Sequence, residues 1–250
     1  MSDAAQAGRQ GQGGTGDMVD LGGGLQGYYA RPEGAGPAPG IVVFIEAFGL
    51  NDHFKRLAGR LADAGYAAIV PDLYHGDVYS YGDLNGAIGK LKTLNDDQVM
   101  EETGRALDFL SNRQEIQKSG FGCVGFCMGG RFAFLANAAQ AVRMKAAVSF
   151  YGGGIGPEKD MVGRKPLLDR AGEMRAPILL FYGTEDQSIA PDEHGRVTQA
   201  LSTAHKEYEM IVFAGAGHGF FCEDRQSFDE RSAEESWRMM LDFYERTLRA

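Results

Sequence analysis

The sequence predicts an α/β fold, a mainly parallel central sheet with helices on both faces in three layers. Three observations carry this reading. Short apolar runs of strand length alternate with segments of helical pattern along most of the 250 residues. The clearest run, Ile41-Val42-Val43-Phe44-Ile45, is continuous rather than alternating, as a strand buried on both faces requires. Several runs end at turns carrying Cys, Asp or His, and in such sheets working residues gather at the carboxyl ends of strands.

In chain order, residues 1–24 are rich in Gly and small polar residues with little to bury, and are expected to be flexible. Residues 25–31 read as a first strand, and a Pro/Gly turn region spans residues 32–40. After the run at 41–45 comes a helical stretch at 54–64, closed by Gly65, then a strand at 67–70 stopped by Pro71. Residues 75–94 are polar and Gly/Tyr-rich, and read as a surface excursion. A helix at 97–111 leads to a strand at 120–126, and an apolar helix follows Cys127 as far as Ala139. Strands at 146–151, 178–182 and 208–213 and helices at 192–203 and 228–248 complete the set. No internal repeat is visible. One domain over residues 25–250 accounts for the whole pattern.

The net charge of −9 and pI near 5.1 argue against nucleic acid or an anionic membrane as partner. Cys123, Cys127 and Cys222 are too few for a disulfide scaffold and suit a reducing compartment. Neither a secretory signal nor an apolar stretch of membrane-spanning length is visible, so a cytoplasmic location is expected.

Gly125-Phe126-Cys127-Met128-Gly129-Gly130 fits a small-x-nucleophile-x-small elbow with Cys as nucleophile. So tight a strand-to-helix turn strains the nucleophile's backbone and leaves no room for Cβ atoms two residues away. The helix N-terminus behind Cys127 favours a thiolate, and the Met128 N–H is placed to meet an oxyanion. A thiol nucleophile needs a base and the base an orienting acid, expected here in the chain order nucleophile, acid, histidine. His53 and His75 precede Cys127. His194 and His205 fall in or beside a polar helical stretch and are expected to be solvated. His218, in Gly217-His218-Gly219 just after the last strand, is the expected base. Asp186, in Gly183-Thr184-Glu185-Asp186, is the favoured acid, with Glu185 as the weaker choice. These features specify the α/β-hydrolase version of the fold. Glu46 stands at another strand end, where an unpaired carboxylate would be costly.

With Ile45-Glu46-Ala47-Phe48-Gly49-Leu50-Asn51, Gly65-Tyr66-Ala67-Ala68, Pro71-Asp72-Leu73-Tyr74, the elbow, Gly183-Thr184-Glu185-Asp186 and Gly217-His218-Gly219-Phe220-Phe221, the chain resembles the dienelactone hydrolase (carboxymethylenebutenolidase) family over residues 25–248. The resemblance implies a hydrolase acting on a small-molecule lactone or ester through Cys127, His218 and Asp186, with neither cofactor nor metal. It implies that Glu46 hydrogen-bonds the resting thiol and takes part in forming the thiolate. It also implies an oxyanion hole from the Ala47 and Met128 N–H groups. Phe48, Tyr74 and Arg225 are the candidate substrate-binding residues. Two arginines that bind a substrate carboxylate in the family are replaced by Gly76 and Cys222. Arg225 is either a substitute for them or a solvated surface charge. His53 is either a helix N-terminal residue or a pocket-lining one. Two rivals are a non-catalytic ligand-binding scaffold that keeps the elbow as architecture and a broad-specificity esterase. A redox or metal site from Cys123 and Cys127 ranks last, since a strand residue and an elbow residue point poorly for joint ligation.

Overall fold

The computed structural model describes residues 16–34, 36–157 and 162–249. It begins with a hairpin, β1 (Gly16–Gly22) and β2 (Leu25–Ala30), turning through Gly22, Gly23 and Gly24, all at positive φ. Then come β3 (Gly40–Phe44), α1 (Asp52–Asp63), β4 (Ala67–Pro71), α2 (Leu84–Leu91), α3 (Asp96–Ser111), β5 (Phe121–Phe126) and α4 (Met128–Ala139). The chain continues through β6 (Met144–Phe150), a 3₁₀ turn at Leu168–Glu173, β7 (Ile178–Gly183), α5 (Pro191–Thr203), β8 (Tyr208–Phe213) and α6 (Glu230–Leu248).

All eight strands form one sheet in the order β1-β2-β4-β3-β5-β6-β7-β8, parallel from β4 onward and antiparallel at the β1–β2–β4 edge. The predicted α/β-hydrolase architecture is present. Central β3, β4, β5 and β7 are buried along their whole length, which is why their sequences read as unbroken apolar runs. The edge strands β1 and β8 are only partly covered.

Neighbouring residues of β5 show the layers directly. Gly122 faces Tyr244 and Leu248 of α6, while the Cys123 thiol reaches the Ala133 carbonyl of α4 at 3.8 Å. Successive strand residues face opposite ways, so α4 and α6 cover opposite faces. Arg60 of α1 lies over the Trp237 ring of α6, joining those two helices on one face. Among the described residues, no helix is long and apolar enough to cross a membrane.

Two sequence expectations need correction. Residues 16–22 of the segment expected to be flexible form β1, because Leu21 is buried against the sheet and the hairpin gives the backbone partners that a glycine-rich composition conceals. Residues 1–15 of that segment lie outside the described residues. The surface excursion at 75–94 contains α2, capped by the Asp83 side chain on the Gly86 N–H and anchored by buried Ala87 and Leu91.

Candidate active site

Cys127 sits between β5 and α4 at φ 55° and ψ −117°, a backbone conformation that costs about 1–3 kcal/mol and persists only where its surroundings enforce it. The enforcement is visible. The Cys127 N–H donates to Phe150 O of β6 at 3.0 Å, and the Gly130 N–H donates back to Cys127 O at 3.0 Å. A Cβ on Gly125 would run into the Gly129 carbonyl, and one on Gly129 into the Phe44 and Ile45 carbonyls. Both glycines are there for close approach of backbone to backbone.

Asp186 and His218 are brought together by the loops after β7 and β8. The Thr184 N–H donates to Phe213 O at 3.0 Å, the Glu185 N–H to Ala216 O at 3.0 Å, and the Gly215 N–H to Thr184 Oγ1 at 2.8 Å. Gly183 admits the Ala216 carbonyl where a Cβ would otherwise stand. Asp186 then accepts from the Ser188 and Ile189 N–H groups through Oδ1, leaving Oδ2 at 2.9 Å from His218 Nδ1. Glu185, the alternative acid, is exposed, whereas Asp186 is buried against His218.

His218 and Cys127 line the same cavity, close enough for the sulfur to act electrostatically on the ring. Burial alone pushes the imidazole pKa down. The Cys127 sulfur and Asp186 outweigh it and raise the value to about 10. A folded value above the unfolded one gives stabilisation that is fully present below about pH 6.5 and is lost as pH rises through about 10. The ring protons of His218, followed by NMR, should accordingly report a protonated ring at pH 8. Asp186→Asn lowers the midpoint, and Cys127→Ala lowers it further because the sulfur contributes more than the carboxylate. A wild-type midpoint near 6.5 would contradict this electrostatic picture.

Glu46 is completely buried at the end of β3. Its carboxylate accepts from the Tyr151 hydroxyl at 3.0 Å and from Arg225 Nη1 at 3.3 Å. Its hydrogen bonds therefore go to Tyr151 and Arg225, where the family resemblance led us to expect the resting thiol. Burial first, and the Glu46 charge second, hold the Tyr151 phenol well above its ordinary pKa, keeping it a donor. Tyr151 itself has φ 38° and packs its ring edge-on to His218 with centroids 5.2 Å apart.

Ala47, Phe48, Cys127, Met128, His218 and Arg225 line one cavity of about 420 Å³. Leu84, Ile88 and Leu91 of α2 and Ile189 add apolar wall, and Arg164, Arg196 and Glu193 bring charge. Arg225 is only 20% exposed and lies 5.6 Å from the Phe48 ring centroid, so the reading of it as a solvated surface charge fails. Its guanidinium occupies the place a Cβ on Gly219 would take. Gly76 is exposed at φ 98° and offers no side chain, and Cys222 is buried. Tyr74 does not line the cavity. It is fully buried behind the wall, its hydroxyl 3.6 Å from Met128 Sδ, so it supports Met128 from below.

The remaining expectations sort by environment. His53 is in the first turn of α1, buried against Phe54 and Phe221 and away from the cavity. His194 is half-buried on the Tyr182 ring with centroids 4.2 Å apart, contrary to the expected solvated position, while His205 is exposed. His75 is exposed and pairs with Glu102 at 3.0 Å. Burial raises the Cys123 pKa to about 12 and its thiol is turned to α4, so it shares nothing with Cys127.

Sequence reasoning missed three residues that hold the site. Tyr151 could have been noticed from its position before Gly152-Gly153-Gly154 at a strand end. Arg131 of α4 is completely buried, bidentate to Asp96 at 2.6 and 2.8 Å, and donates to Gly154 O and Lys165 O, pinning the loop that walls the cavity. Glu193 of α5 fastens the same loop by accepting from the Ile155 and Gly156 N–H groups, both at 2.9 Å. Neither role leaves a local sequence signal.

Known proteins resemble this chain in sequence and in fold. The sequence profile of the Dienelactone hydrolase family matches residues 25–248. A Yersinia pestis protein named "Putative carboxymethylenebutenolidase" is 37% identical over 224 residues, covering 88% of this chain and 83% of its own. Among solved structures, the "Putative Dienelactone Hydrolase" of Klebsiella pneumoniae subsp. pneumoniae MGH 78578 superposes with a TM-score of 0.81 at 34% identity, over 88% of this chain and 92% of its own. A dienelactone hydrolase-like promiscuous phosphotriesterase from metagenomic libraries gives 0.79 at 26% identity, over 93% and 98%. By sequence and by fold, the chain belongs to the dienelactone hydrolase family of hydrolases.

Proposed function

We propose that the protein hydrolyses a lactone or an activated carboxylic ester with Cys127 as nucleophile, His218 as base and Asp186 as its orienting acid. The observation that carries this reading is the placement of His218, its Nδ1 2.9 Å from Asp186 Oδ2, on the wall of the cavity that Cys127 also lines. The Cys127 thiolate attacks the carbonyl carbon, and the oxyanion is received by the Ala47 and Met128 N–H groups. The C–O bond breaks, the leaving oxygen takes the proton held on His218, and a thioester remains on Cys127. Water, losing its proton to His218, attacks the thioester carbon. The acid departs and the thiolate is regenerated.

Chemistry narrows the substrate. A thiolate is itself a good leaving group, so the first adduct of an ordinary ester falls back to substrate. An enol lactone or aryl ester, whose leaving oxygen is stabilised, goes forward. The apolar side chains of α2 favour a substrate with an apolar body, and Arg225, paired with Glu46, supplies cationic character on the wall of the cavity that Cys127 lines. Glu46 is the carboxylate that tunes that cation.

The intermediate gives the test. Rapid acid quenching during turnover of p-nitrophenyl acetate, followed by peptide mass spectrometry, should find the acyl group on Cys127 and iodoacetamide labelling preferentially there. Acylation elsewhere, or labelling that shows no preference for Cys127, would favour a scaffold that keeps the elbow only as architecture.

A further inference from the structure

We propose that His53, Cys222 and Asp224 form a binding site for a thiophilic divalent cation of the Zn²⁺ type. This stands independently of the reaction assigned to Cys127. One ligand atom from each residue lies within 4.8 Å of the others, joining the first turn of α1 to the loop that follows His218. The donors are an imidazole, a thiol and a carboxylate, a mixture that suits Zn²⁺ or Co²⁺ and not the oxygen-seeking Mg²⁺ or Ca²⁺.

Each ligand is in a state fit for that role. His53 is 6% exposed, and its Nε2 makes no hydrogen bond among the described residues, an expensive condition for a buried ring nitrogen. Cys222 is buried, with the Tyr81 hydroxyl oxygen 3.1 Å from its sulfur. That hydroxyl is able to donate to a metal-bound thiolate. A cation takes the place of the thiol proton, which passes to solvent, and thiolate plus carboxylate then balance its two charges.

Asp224 at present accepts from Arg56 Nη2 at 2.6 Å, but that pair is 42–49% exposed and worth at most about 1 kcal/mol, so a cation can outcompete it. Tetrahedral Zn²⁺ keeps its ligand atoms closer together than 4.8 Å, which asks for a modest inward shift of the exposed Asp224 side chain. The fourth position is left for water. Tyr81, which touches Cys222, also packs edge-on to Phe48 with centroids 4.7 Å apart, so the site backs onto the cavity wall.

The test uses the full chain, stripped with EDTA, as the Cys127→Ala variant so that the elbow thiol cannot supply a ligand. Titrated with Co²⁺, it should bind one equivalent and develop a thiolate-to-cobalt charge-transfer band in the near ultraviolet, and Zn²⁺ should displace the Co²⁺. Adding Cys222→Ser removes the band. Adding His53→Gln or Asp224→Asn weakens binding by about 100-fold or more, beyond what loss of an outer-shell partner costs. Asp224 is exposed, so its substitution separates lost ligation from lost folding. Absence of the band in Cys127→Ala at millimolar Co²⁺ would overturn the proposal, as would undiminished binding in the Asp224→Asn protein.

Discussion

Cys127→Ala lowers kcat for p-nitrophenyl acetate and for a dienelactone by about 10⁴-fold or more, with a much smaller change in KM. The size follows from the units that act together. Without the sulfur there is no thioester, and His218 and Asp186 are left to activate a water for which the site has no pre-set position. What remains is the oxyanion hole and substrate binding, which sustain only the residual catalysis seen when a triad member is removed. KM moves little because Phe48, Met128, the α2 side chains and Arg225, which form the cavity, are untouched. Cys127→Ser keeps the fold and still loses most of the activity, because a hydroxyl does not ionise against His218 as a thiol does. Steady-state rates with matched circular dichroism spectra check both variants. Equal rates in the wild type and Cys127→Ala would falsify the nucleophile assignment.

The positions of Cys127, Asp186 and His218 were legible because each depends on a local signal, an apolar strand followed by a glycine-permitted turn. Chain order then linked the three. The central strands were legible for a related reason: burial on both faces writes an unbroken apolar run. β1 was hidden by its glycines, although hairpin pairing needs no strong β-formers. Helix α2 did leave a trace, since Leu84, Ile88 and Leu91 recur at i, i+4 and i+7, but two turns of it are short against a polar background. Arg131 and Glu193 could not be read locally, because their partners Asp96 and Ile155 are fixed by tertiary packing, and for Tyr151 the strand-end position was visible while its partner Glu46 was not. The same applies to His53 and Cys222, which meet only through the fold.

Gly129→Ala destabilises the protein by about 3 kcal/mol or more, and activity falls with it, whereas Gly104→Ala stabilises by about 1 kcal/mol. Both glycines lie in helices, so propensity alone predicts the same gain at each. Space decides otherwise. On α3, a Cβ at position 104 meets only Gln140 Nε2 at 3.6 Å, an ordinary contact, and the substitution removes unfolded-state freedom at no native cost. In the first turn of α4, a Cβ at position 129 is driven into the Phe44 and Ile45 carbonyls. Phe44 is the last residue of β3, which runs in the sheet centre between β4 and β5, and Ile45 follows it directly, so the atoms met are backbone and no flexible side chain can yield in their place. Relief requires α4 to move away from the sheet. That movement carries the Met128 N–H away from the oxyanion position and relaxes the φ of 55° that projects Cys127. Urea denaturation of the two variants beside wild type measures the opposite signs. Equal stabilisation by both would mean that helix propensity, and not the closeness of α4 to β3, sets the residue at the elbow.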